Sequence, residues 1–145
     1  MRLLEAFPLS QKVVILLSIL TVMLSLGNLG QAVLAVQYSI DLPGLPTTVS
    51  LRYLAAMGGV WALAFIACAV GLSLFREWGR RCTLAAVSLY QLNVWVNRLL
   101  FSASDYARQT IPRDLALTVI VLLVFWIPLS LPRIRQTFKR GDEGQ

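Results

Sequence analysis

The chain has 145 residues, of which 57% are hydrophobic and only 14% charged, with a mean hydropathy of +0.70 and a formal charge of +6. Soluble domains have roughly a quarter of their residues charged, so the composition excludes that class and points to a membrane protein. Histidine is absent, which removes bis-histidine haem ligation, histidine metal sites and Ser-His-Asp or Cys-His catalysis.

Residues 1–11 hold Leu3, Leu4, Phe7 and Leu9 among few charges. They suit either a segment lying along the membrane surface or a frayed terminus. The first apolar stretch, 13–36, is long enough to cross a hydrocarbon core of ~30 Å. Val33-Leu34-Ala35 has the small-residue character of a cleavage site. The apolar run before it, about twenty residues, exceeds the h-region of a signal peptide, so the stretch is expected to stay in the membrane. Ser18, Thr21, Ser25, Asn28 and Ala32 recur at helical spacing and define one polar face of this helix.

Residues 37–52 carry Asp41, Pro43, Gly44 and Pro46 and predict an irregular outer loop. The second stretch, 53–75, is rich in small residues four apart: Ala55 with Gly59, Gly58 with Ala62, Ala67 with Gly71. Such patterns let helices approach closely in lipid. Ser25, Asn28, Gly59 and Ala62 are therefore candidate helix-packing residues, serving either the interior of the protein or a docked partner. Cys68 and Cys82 are not spaced as a metal site or a redox CxxC pair, and they read as small buried hydrophobes.

Arg76-Glu77-Trp78-Gly79-Arg80-Arg81 is so short a link that the second and third stretches must form an antiparallel hairpin. The third stretch, 83–103, contains Tyr90, Gln91, Asn93, Asn97 and Arg98. Arginine near a bilayer centre costs at least ~2.5–3.5 kcal/mol, so this sector is expected to turn away from lipid. It could meet the Ser18–Asn28 face of the first helix. Asp105 and Asp114 are both candidate ion-pair partners for Arg98. Asn93, Asn97, Arg98 and Asp114 thus form a candidate polar cluster, which would fix the hairpin of the third and fourth spans or bind an anionic head group or small anion.

The link 104–114 carries Pro112, a residue suited to the first turn of a helix. The fourth stretch, 115–131, is just long enough to cross, and Pro128 is expected to kink or end it. Arg133, Arg135, Lys139 and Arg140 follow directly, and cations there attract anionic lipid at about 1 kcal/mol each. Residues 141–145 are expected to be disordered.

Basic residues divide unevenly between the two sides. Arg2, Lys12, Arg76, Arg80, Arg81, Arg133, Arg135, Lys139 and Arg140 lie on one side, and Arg52, Arg108 and Arg113 on the other. The bias places both termini in the cytoplasm. The expected fold is all-α: a four-transmembrane-helix antiparallel bundle, residues 1–145 forming a single integral membrane domain. With its 76–81 turn and the aromatic and polar residues of its third stretch, the chain resembles, over 61–135, a loose group of small uncharacterised four-span bacterial membrane proteins. The resemblance implies a bacterial cytoplasmic membrane and no known activity. No nucleophile–base pair or acidic cluster is visible, and the apolar cores hold no Asp, Glu or Lys. No catalytic residue, cofactor or metal is therefore expected, nor a nucleic-acid partner, since the cations cluster at span ends. An accessory or scaffold subunit, associating with itself or a larger membrane complex, is the favoured function. A small transporter or lipid- or anion-binding protein using the polar face of the third span is the alternative.

Overall fold

The computed structural model describes residues 9–41, 50–101 and 110–143, with side chains described outside 101 and 139–143. The described residues are helical apart from the short turns that join them: α1 Leu9–Asp41, α2 Leu51–Ser73, α3 Glu77–Phe101, α4 Ile111–Ser130 and α5 Pro132–Glu143. Three of them, α1, α2 and α4, are long and apolar enough to cross a membrane. The expected third stretch lies on α3, a helix of 25 residues whose average is lowered by Arg80, Arg81, Gln91, Asn93, Asn97 and Arg98. Asp105, the prolines of the first outer loop and most of the 1–11 segment lie outside the described residues.

The most extensive contact is between α1 and α2. Val14, Leu17, Thr21, Ser25, Asn28, Ala32 and Ala35 are buried along one face of α1 at steps of three or four residues. Ser18 donates to the Ala69 carbonyl at 3.1 Å and Ser25 to the Ala62 carbonyl at 2.8 Å. Thr21 and Asn28 bond back to the carbonyls of Leu17 and Leu24 in their own helix. Backbones touch at Gly58, where an added Cβ would lie 2.8 Å from the Asn28 carbonyl oxygen and 3.1 Å from the Ala32 Cβ. The polar face of α1 therefore seats on α2. The expectation that it would meet the polar sector of α3 is corrected: the Ser18 and Ser25 hydroxyls find backbone acceptors on α2.

A tight turn joins α2 to α3. Phe75 N–H donates to Leu72 O and Arg76 N–H to Gly71 O, both at 3.0 Å, which closes α2 as a Schellman motif. The residue that must take a left-handed backbone there is Phe75, at φ 52°. Its ring lies 6.4 Å from that of Phe138 on α5, so packing holds a conformation that glycine usually adopts. Immediately inside the turn, Gly71 and Gly79 meet backbone to backbone, and a Cβ on Gly71 would come within 2.5 Å of the Gly79 Cα.

The core lies in the half of the molecule that contains this turn. Val14 and Leu17 of α1, Phe65, Cys68 and Leu72 of α2, Ala86 and Val87 of α3, Phe125 and Leu129 of α4, and Ile134 and Phe138 of α5 form one cluster. Pro128 is accommodated within α4, which ends two residues later at Ser130, and Leu131 turns into extended backbone. Pro132 then opens α5 at the position where a missing N–H costs nothing. Helix α5 continues through Asp142 and Glu143, which corrects the disorder expected for residues 141–143; residues 144 and 145 lie outside the described residues.

Candidate functional site

Helix α3 meets α4 through polar side chains, and their contacts recur along its length. At the turn end, Glu77 in the first helical turn accepts from Arg80 at 2.9 and 2.6 Å and from Arg81 at 3.2 Å. The hydrogen bonds from Arg80 hold the Glu77 carboxyl below the ordinary carboxylate range, and Glu77 raises Arg80 in return. The same guanidinium donates to the Leu129 carbonyl at 3.2 Å, one of the last carbonyls of α4. Arg80 therefore ties the α2–α3 turn to the end of α4.

Further along, Ser88 accepts from the Trp126 indole at 3.1 Å. In the next layer Trp95 Nε1 donates to Thr118 Oγ1 at 3.0 Å, and Thr118 donates to Gln91 Oε1 at 3.3 Å. At the far end Arg98 forms an ion pair with Asp114 and donates to Thr110 Oγ1 at 2.6 Å, its guanidinium 5.7 Å from the centre of the Trp95 ring. The Arg98 and Asp114 side chains are 16% and 27% exposed, dry enough for the pair to matter. Arg113 also reaches Asp114, at 3.2 Å.

The candidate polar cluster thus divides between two neighbours. Arg98 and Asp114 meet across α3 and α4. Asn97 instead accepts from the Tyr53 hydroxyl of α2 at 2.9 Å, and Asn93 is half-buried on α3. Tyr90, the other aromatic of the sector, packs edge-on against Trp61 and Phe65 at 5.3 Å from each. Among the packing candidates, Ser25, Asn28 and Ala62 are buried in the α1–α2 seam. Gly59 is outside it: a Cβ there would meet nothing within 4 Å, and the close contact belongs to its neighbour Gly58.

Two cavities share Gln91, Trp95 and Thr118 as a common wall. One, of about 520 Å³, is completed by Ser88, Leu92, Leu122, Leu123 and Trp126. The other, of about 270 Å³, reaches Tyr90, Val94, Arg98, Asp114, Leu117 and Val121. They flank the Gln91–Trp95–Thr118 layer, where the α3–α4 contact rests on discrete hydrogen bonds. Chemically the arrangement offers hydrogen-bond donors and one neutralised ion pair beside apolar walls, which suits an amphipathic molecule.

Sequence reasoning missed Arg80, read there only as a topology charge. The Glu77-x-x-Arg80 spacing at a helix start was the available signal. It also missed Ile134 and Phe138, whose four-residue spacing in a basic segment marks one apolar face on a helix. Trp95 and Thr118 gave no comparable signal, because each is ordinary in an apolar stretch. Comparison with protein-family models, curated proteins and solved structures finds no match for this chain.

Proposed function

We propose that the protein is a non-enzymatic accessory or scaffold subunit that crosses the membrane four times with both ends in the cytoplasm. Helix α3 is the fourth crossing in this reading. Its exposed residues in the middle and far parts are Leu89, Leu92, Val94, Val96, Leu99 and Leu100, while Gln91, Trp95 and Arg98 turn toward α4 and Asn97 toward α2. A helix with an apolar outer surface and a satisfied polar inner one can face lipid despite a modest average. The uneven distribution of basic residues sets the orientation, a bacterial cytoplasmic membrane is the natural setting, and Arg76, Arg81, Arg133 and Arg135 would contact anionic lipid there.

The observation that carries the subunit reading is the uncovered face of α1. Met23, Gly27, Gly30, Gln31 and Leu34 are exposed at helical spacing, and a Cβ on either glycine would meet nothing within 4 Å. Glycines that admit a close backbone, beside an amide that can both donate and accept, are what an intramembrane helix contact requires. The α1–α2 seam, by contrast, is buried and closed by its own hydrogen bonds.

The test is purification in mild detergent followed by native mass spectrometry. A stoichiometric protein companion or a second copy is expected, lost in Gly27→Leu, a change that leaves the intramolecular packing untouched. Wild-type protein that runs as a single copy without a companion overturns the reading. The paired cavities beside Arg98 and Asp114 favour a second reading, a lipid- or small-anion-binding or transport protein. A lipid or anion retained by single-copy protein and lost in Arg98→Leu would establish that one.

A further inference from the structure

Cys68 and Cys82, unremarkable in sequence, are brought together by the α2–α3 turn. Cys68 is fully buried on α2, one turn before the Schellman closure, and Cys82 is partly exposed on α3 beside Arg81. The Gly71–Gly79 crossing lets the two backbones approach as closely as peptide groups can, and one turn further in the two sulfurs lie 3.0 Å apart. A disulfide needs ~2.05 Å, so closing the bond takes a displacement of roughly 1 Å at the side-chain tips. Thr83, buried alongside, is anchored to the Gly79 carbonyl at 2.8 Å and holds the start of α3 in place.

We propose that Cys68 and Cys82 are an oxidisable thiol pair, which a hydroperoxide converts into a disulfide joining α2 to α3. The more accessible thiol acts first: the Cys82 thiolate attacks the peroxide O–O bond, taking up one oxygen as a sulfenic acid while the alcohol leaves with a proton. Cys68 then attacks the Cys82 sulfur, its thiol proton leaving with the hydroxyl as water. Two thiols and one hydroperoxide thus give one disulfide, one alcohol and one water. A dithiol reductant reverses the step by exchange. Oxidation would pin the hairpin on which Phe138 of α5 rests through Phe75. The inference stands on the hairpin geometry alone and holds whichever partner the protein has.

The experiment uses the full-length protein in membrane vesicles, exposed to tert-butyl hydroperoxide, then denatured and labelled with N-ethylmaleimide. Wild type should lose two hydrogens in intact mass and take up no label, and dithiothreitol should restore both labelled positions. Trypsin cuts at Arg76, Arg80 and Arg81, between the two cysteines, so the Cys68 and Cys82 peptides should stay joined without reductant. In Cys68→Ser, dimedone should trap a sulfenic acid at Cys82. Two maleimide labels on wild type, under conditions that oxidise an exposed control thiol, would overturn the proposal, as would disulfides found only between chains. Both deciding readouts come from the wild-type protein, so folding of the variants does not enter.

Discussion

Phe75 carries the clearest local conflict in the chain. Its left-handed backbone costs about 1–2 kcal/mol for a residue with a Cβ, and its ring contact with Phe138 offsets that cost. Phe75→Ala removes the ring and keeps the strain, whereas Phe75→Gly removes both. Both variants should melt below wild type, with glycine above alanine by about 1 kcal/mol. Equal melting of the two would mean that the turn is not strained. Glu77 makes a separate prediction. Its carboxyl is held low by Arg80, so its contribution is complete above the unfolded-state range near pH ~4.3 and disappears as pH falls through the lower folded value. Wild-type stability should drop in that acid window. Glu77→Gln should already be weaker at neutral pH and should lose less on acidification, a comparison that thermal melts at pH 7 and pH 3.5 would make. Neither residue's role was legible in sequence in the same degree. The Glu77-x-x-Arg80 spacing is visible, but a phenylalanine in a glycine's place shows only in the backbone.

Among the elements, the α1–α2 pair shows what a sequence pattern settles and what it leaves open. Small residues four apart on the second stretch announce close helix packing. Adjacent glycines sit about 100° apart around a helix, and both belong to such a pattern, so the pattern alone does not say which one faces inward. The structure assigns the contact to Gly58 and leaves Gly59 open. Gly58→Leu should therefore cost about 1–3 kcal/mol by overpacking against Asn28 and Ala32, while Gly59→Leu leaves the melting temperature of the detergent-solubilised protein unchanged. Matched losses in both variants would place the wrong glycine at the seam. The α3 sector teaches the same lesson. Its polar residues declare that one side avoids lipid, yet the choice of neighbour depended on acceptors that side-chain identity does not reveal. The hydroxyls of Ser18 and Ser25 are satisfied by α2 carbonyls, which freed the α3 sector to pair with Thr118 and Asp114 of α4 and with Tyr53 of α2.

For the whole molecule, the two kinds of contact imply two levels of stability. The α1–α2 seam is continuous and close-packed, and the core cluster joins all five helices only near the turn. Helix α4 reaches the rest of the far half through the Trp95–Thr118–Gln91 layer and the Arg98–Asp114 pair, with cavities on both sides of that layer. Segments held by few apolar contacts open at lower free energy than the global transition. In detergent, amide exchange should therefore be faster in residues 111–124 than in residues 14–32. An interhelical hydrogen bond in such a setting is worth about 0.6–2 kcal/mol, so Thr118→Val should speed exchange in the first half of α4 by roughly 3- to 30-fold. The seam should be unaffected. Acceleration of equal size in α1 and α2 would show that the helices open as one unit, and that the cavities at the far end do not mark a separable element. Selective acceleration would mean that α4 can swing from α3 while the rest holds, which is how a lipid or a partner helix would gain entry between them.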